Sequence, residues 1–95
     1  MQFALICHDN FDALERRLAA RAVHMENIHA MKADGSIIDG GAILDDTGTM
    51  CGSIVLCEFP DSAALDAYLK AEIYVREDIW KEIQIIPMKR VSWRA

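Results

Sequence analysis

Three segments of this chain are strand-like and apolar on both faces, and this limits its fold more than any other feature. Residues 2–8 place Phe3, Leu5 and Cys7 on one side and Ala4 and Ile6 on the other. Near residue 55, Val55 and Cys57 oppose Ile54 and Leu56; near the end, Ile83 and Ile85 oppose Ile86 and Met88. A sheet with one wet face alternates apolar with polar residues. A sheet made of these strands needs cover on both faces, and a second copy of the chain is the simplest cover for whichever face its own helices leave open.

Between the strands the period changes. From about Asp12 to Ala33, Leu14, Leu18, Ala22, Met25 and Ile28 recur at three- and four-residue steps, and Gly35 follows as a stop, so a long helix is expected with that stripe buried. Residues 36–44 read as a second strand bent at Gly40-Gly41, and Asp45-Asp46-Thr47-Gly48 as a hairpin turn. Met50 to Phe59 is the third strand. Pro60 and Ser62 open a helix from Ala63 to about Lys70, and a short helix is expected over Val75 to Trp80. Ile83 to Val91 closes the chain as a strand, with Pro87 placing it at an edge or bulge. The order β-α-β-β-α-β, without linker or repeat, predicts one α+β domain over 1–95. Its fold is ferredoxin-like: a four-stranded antiparallel sheet with the helices on one face.

Composition excludes several classes of function. A net charge of −5 leaves no basic face for nucleic acid or an anionic membrane. No apolar run reaches membrane-spanning length, and Met1-Gln2-Phe3-Ala4 is not a basic leader, so a cytoplasmic protein is expected. Cys7, Cys51 and Cys57 lie in apolar strands without a CxxC spacing and read as small buried hydrophobes.

The expected buried stripe of the first helix has a flaw. Arg21 falls inside it and His24 on its flank, one turn on. A guanidinium on a core-facing stripe needs a carboxylate, a ligand anion or a wet cavity; the alternative is that Arg21 snorkels to Glu15 or Asp34. His24 suits proton transfer near neutrality, although a lone histidine on a helix flank is more often structural. The five-residue step from His24 to His29 is not that of a helical zinc pair, and no metal is expected. Ser53, after Gly52, is a candidate hydrogen-bonding group in a cavity or an ordinary polar strand residue. Glu72 and Tyr74 lie in the segment joining the second helix to the short one, where they face either solvent or a pocket mouth.

These residues carry a resemblance. Arg17-Leu18-Ala19-Ala20-Arg21-Ala22-Val23-His24 resembles the R-x-x-H element of the YciI-like (YCII-related) family. Ile37-Ile38-Asp39-Gly40-Gly41 resembles its apolar pair before Ala-Gly-Pro, and Gly52-Ser53 its Gly-Ser third strand. Glu72-Ile73-Tyr74-Val75 stands where the family has Asp-Pro-Tyr/Phe-Val, and Ile86-Pro87-Met88-Lys89 resembles its Lys-Pro-Phe ending. The likeness spans the chain and implies the dimeric α+β barrel fold.

It also implies a site: His24 as acid or base, Glu72 as its carboxylate partner, and Arg21, Ser53 and Tyr74 around a small anionic ligand, with no cofactor. Two departures bear on this. Glu72 is longer than the usual Asp, and Ile73 lacks the fixed φ of Pro, so Asp34 is a second candidate acid. Relatives that act on chlorinated or lactone rings imply an isomerase, lyase or dehalogenase type of reaction on a small organic acid or lactone. The alternative is a non-catalytic dimeric module that binds a small anion.

Overall fold

Leu5, Cys7 and Cys57 have no accessible surface, and they fix which side of the sheet faces inward. They lie on β1 (Gln2–Asp9) and β3 (Met50–Glu58), which pair antiparallel so that Phe3 faces Cys57 and Leu5 faces Val55. A computed structural model of the chain, describing residues 1–93, gives the order β1, α1 (Leu14–Asp34), β2 (Ile37–Leu44), β3, α2 (Ser62–Ala71), α3 (Ile73–Arg76), β4 (Trp80–Met88). The four strands form one antiparallel sheet in the order β2-β3-β1-β4. This is the ferredoxin-like α+β architecture expected from the order of elements. No helix is long and apolar enough to cross a membrane among the described residues.

Local chemistry explains the joints. Gly35 ends α1 in the left-handed region (φ 88°), where a side chain would be strained. The β2–β3 hairpin closes on the Asp45 carboxylate, which accepts from the amides of Thr47 and Thr49 and from the Thr47 hydroxyl. Asp61 caps α2 by accepting from the Ala64 amide at 2.9 Å. Pro87 lies on β4, an edge strand, the place in a sheet where a missing N–H is tolerated. Gly40 and Gly52 are required by close approach. A Cβ on Gly40 would stand 2.7 Å from the Ile54 carbonyl oxygen, and one on Gly52 would strike the Cys7 carbonyl oxygen.

Three expectations are corrected. The short helix is Ile73–Arg76, not Val75–Trp80, and β4 begins at Trp80 rather than Ile83. The cause is Glu72, which ends α2 and at once caps α3, moving the second helical turn forward.

The third correction concerns the phase of α1. Leu14 and Leu18 are exposed, and so is Arg21; Arg17 and Ala20 are buried, and Ala13 just before them, with Ile28 and Met31 packed on the core. The inward stripe therefore runs 13, 17, 20, 24, 28, 31, about a residue's rotation from the expected one.

On the covered face, burial pushes the Cys7 thiol up to about 12, and the Cys57 thiol to about 11. Both are buried side chains, as expected, while Cys51 is partly exposed. The other face carries Ala4, Ile6, Ile54, Leu56, Ile86 and Met88, with Ile54 and Ile86 exposed and no helix over them among the described residues.

Candidate functional site

The rotation of α1 brings His24 over the second half of the chain. His24 Nδ1 lies 2.7 Å from Glu72 Oε1, although 48 residues separate them. Glu72 is 3% exposed. Its other bonds hold it still: Oε2 accepts from the Tyr68 hydroxyl at 3.0 Å, and Oε1 from the Tyr74 amide at 3.3 Å. The Tyr74 ring stacks on the imidazole with centroids 3.9 Å apart and planes 6° apart, and Trp80 meets both rings edge-on. Glu72 as acceptor assigns the ring proton to Nδ1 and leaves Nε2 for another partner. Ile73, in the place of a proline, does not disturb the segment, because the Glu72 carboxylate caps α3 itself.

Beside this pair lies a buried ion pair that sequence reasoning missed. Arg17 Nη1 donates to both oxygens of Asp9 at 3.0 Å, and Arg17 Nη2 donates to Ser53 Oγ at 2.8 Å. The guanidinium carbon stands 4.9 Å from the centre of the Tyr74 ring. Burial pushes the Asp9 carboxyl up, against the downward pull of Arg17, so desolvation outweighs the pairing. A signal existed in the sequence: Arg17 and His24 are seven residues apart, two helical turns on one face.

These groups border a cavity of about 340 Å3 between α1 and the β2–β3 side of the sheet. Arg17, His24, Ser53 and Tyr74 line it, with Met25, Ile28, Ile37 and Val55 as apolar wall. Arg21, His29 and Lys32 also line it, against the single carboxylate of Asp39. With Arg17 matched by Asp9, the lining is net positive in a chain of net charge −5, which suits an anion. The structure thus brings His24, Glu72, Ser53 and Tyr74 together. It places Arg21 on the cavity as an exposed residue rather than in the core. Asp34 is elsewhere: its carboxylate accepts from the Ser36 amide at the end of α1, which holds it below the usual carboxylate range. Among the described residues no three His, Cys, Asp or Glu side chains converge as a metal set.

The tyrosines give the site a pH signature. Burial, with the Glu72 carboxylate opposite it, pushes the Tyr68 phenol well above its ordinary value of 10. Burial raises Tyr74 too, against the pull of Arg17 and Arg21. Unfolded tyrosine ionises near 10 and folded tyrosine only above it, so this stability is complete below pH 10 and falls as pH rises beyond. The melting temperature is expected to fall above that pH, and less steeply in Tyr68→Phe. Tyrosinate absorbance at pH 10 from a chain with native circular dichroism would contradict this.

The family model of the YCII-related domain matches residues 1–89. The "Protein YciI" of Escherichia coli O6:H1 is 27% identical over 97 residues, covering 96% of this chain and 99% of that protein. An uncharacterized protein of Haemophilus influenzae is 25% identical over the same shares of each chain. Among solved structures, 5-chloro-2-hydroxyhydroquinone dehydrochlorinase of Burkholderia phenoliruptrix, in complex with 2,5-dihydroxybenzoquinone, aligns with a TM-score of 0.85. That alignment covers 96% of each chain at 20% identity, a likeness of fold.

Proposed function

The chain belongs to the YCII-related domain family, and from that premise we propose that it is an enzyme that moves a proton on a small anionic organic substrate. His24 is the acid–base group, and Glu72 fixes its tautomer and balances the imidazolium. Arg21 and Lys32 draw the anion into the cavity, and the apolar wall takes its carbon frame. The observation that carries this reading is the 2.7 Å contact between His24 and a carboxylate itself buried at 3% exposure. A charged carboxylate in such a place needs a cation or strong donors, and the imidazole at the cavity wall supplies them.

The dehydrochlorinase named above suggests where to begin. Loss of HCl from a chlorinated hydroxyquinol balances as two proton movements and no further reactant: one hydroxyl proton shifts to the chlorine-bearing carbon, giving the keto tautomer, and a base then takes a second hydroxyl proton while chloride leaves with its bonding pair. His24 Nε2 would take that proton. Chloride release from 5-chloro-2-hydroxyhydroquinone is expected from the wild type and at least about a hundredfold slower from His24→Gln. Equal rates in the two would end the proton-transfer reading. Anion binding by both proteins, with no turnover of chlorinated or lactone substrates, would favour a binding module.

We further propose a homodimer across the open sheet face, supported by Ile54 at 42% and Ile86 at 38% exposure beside Ala4, Ile6 and Leu56. Sedimentation at micromolar concentration is expected to give twice the 10.7 kDa chain mass, and the single mass for Ile86→Asp. A monomeric wild type would refute it.

A further inference from the structure

Ser53 carries a proton with nowhere to go inside the protein. Its Oγ accepts from Arg17 Nη2 at 2.8 Å and from Trp80 Nε1 at 3.3 Å. Guanidinium and indole nitrogens donate only, so neither can take a bond back. A hydroxyl has two acceptor positions and one proton. Both acceptor positions are filled, and among the described residues none accepts the proton. Ser53 is 4% exposed and lines the cavity, so the cavity is where that proton can be used.

The neighbouring guanidinium repeats the pattern. Among the described residues, Arg17 Nε is a buried donor without a partner, and Arg17 lines the same cavity. Asp9 holds Nη1 with both of its oxygens and Ser53 holds Nη2, so the guanidinium is not free to turn and satisfy Nε elsewhere. Buried donors without acceptors are destabilising. Two of them on one cavity wall are what a site holds ready for an oxygen that arrives with its ligand. A cation donating to the serine oxygen also polarises its O–H and strengthens it as a donor.

We propose that Ser53 Oγ–H and Arg17 Nε–H together bind one ligand oxyanion on an sp2 carbon, such as a phenolate or enolate oxygen, with Asp9 and Trp80 as positioning residues. This deepens the proposed function by naming the group that is held. It rests on the cavity being the binding site and not on His24 being the base. The substrate class is then an ionised or ionisable ring or enol oxygen, whose charge the donor pair stabilises while a proton moves at His24.

The test uses the full chain with 4-nitrophenol in mildly alkaline buffer, where it is the phenolate, and 4-nitroanisole, the same ring without the charge. Titration calorimetry is expected to show the wild type binding the phenolate at least about tenfold more tightly than the ether, the effect of hydrogen bonds to a charged oxygen. Ser53→Ala should lose that preference and Ser53→Thr, which keeps the hydroxyl, should retain it. Arg17→Lys keeps the charge but not the fork, and should lose it as well; a cavity that merely attracts anions would not distinguish the two cations. His24→Gln should keep the preference while losing chloride release. A wild type without the preference, binding neither compound included, overturns the proposal, as does a Ser53→Ala protein that keeps it. Preference lost in His24→Gln but kept in Ser53→Ala places the anion on the imidazole, which overturns the proposal and leaves the proton-transfer reading intact. A wild type that shows the full pattern without releasing chloride upholds the donor pair and counts against that reading.

Discussion

Replacing Glu72 by Gln is expected to lower kcat by about a hundredfold or more on any substrate that the wild type turns over, with KM nearly unchanged. Glu72 does not line the cavity; it reaches the substrate only through His24. The carboxylate can only accept, which keeps the ring proton on Nδ1 and frees Nε2. The Gln amide can instead donate to Nδ1. That places the proton on Nε2, and the ring then faces the cavity with a donor where the reaction needs a base. Nitrogen NMR of the imidazole reads the tautomer directly, and it should invert in the variant. The fold should survive, because the Gln oxygen in the place of Oε2 can still accept from Tyr68, and only the longer 3.3 Å bond from the Tyr74 amide to the Oε1 position is given up. Full kcat in a folded Glu72→Gln, or an imidazole with unchanged tautomer, would remove Glu72 from the mechanism.

The second large effect falls on stability. Asp9→Ala leaves the Arg17 guanidinium at 3% exposure with its bidentate partner gone and its Nε already without a partner among the described residues. Breaking one side of a buried pair costs about 3–5 kcal/mol, which in a domain of this size lowers Tm by roughly 12 °C or more. Removing both charges is a different matter. The upward displacement of the Asp9 carboxyl says that desolvation already outweighs the pairing, so Asp9→Ala combined with Arg17→Met should recover most of the loss, since apolar replacement of a buried pair is often near neutral. Asp12→Ala is the control: it removes the exposed pair with Arg16, whose side chains are 39% and 59% exposed, and should cost under about 1 kcal/mol. Thermal melts of the four proteins decide the matter. A single Asp9→Ala variant as stable as Asp12→Ala would mean that Arg17 finds solvent, and the buried network would have to be abandoned.

Local features of the chain determined a good deal. Gly35 stops α1, Asp45 to Gly48 turn the hairpin, Pro87 keeps its strand at an edge, and the order of periods specifies the ferredoxin-like arrangement. Each is a property of a few neighbouring residues, so no distant contact was needed to read it. The candidate residues His24, Ser53, Glu72 and Tyr74 were legible through the spacing of five motif fragments along the chain, which preserves family likeness without revealing any contact.

What the sequence left open was every question whose answer depends on rotation or distant packing. Leu14, Leu18, Ala20, Ala22, Val23, Met25 and Ile28 encircle α1, so several stripes were nearly equal in apolar content. The choice among them fell to Asp9 and Ser53, which bond Arg17 across 8 and 36 residues and turn that face inward. Arg21, the residue that pattern placed in the core, lies on the cavity instead. The double cap at Glu72 set the short helix, because a carboxylate there could satisfy amide, phenol and imidazole at once. Burial of a charged side chain is decided by partners that only the folded chain assembles. That is why the helices and strands could be read from the sequence, and the polar network behind His24 required the tertiary structure.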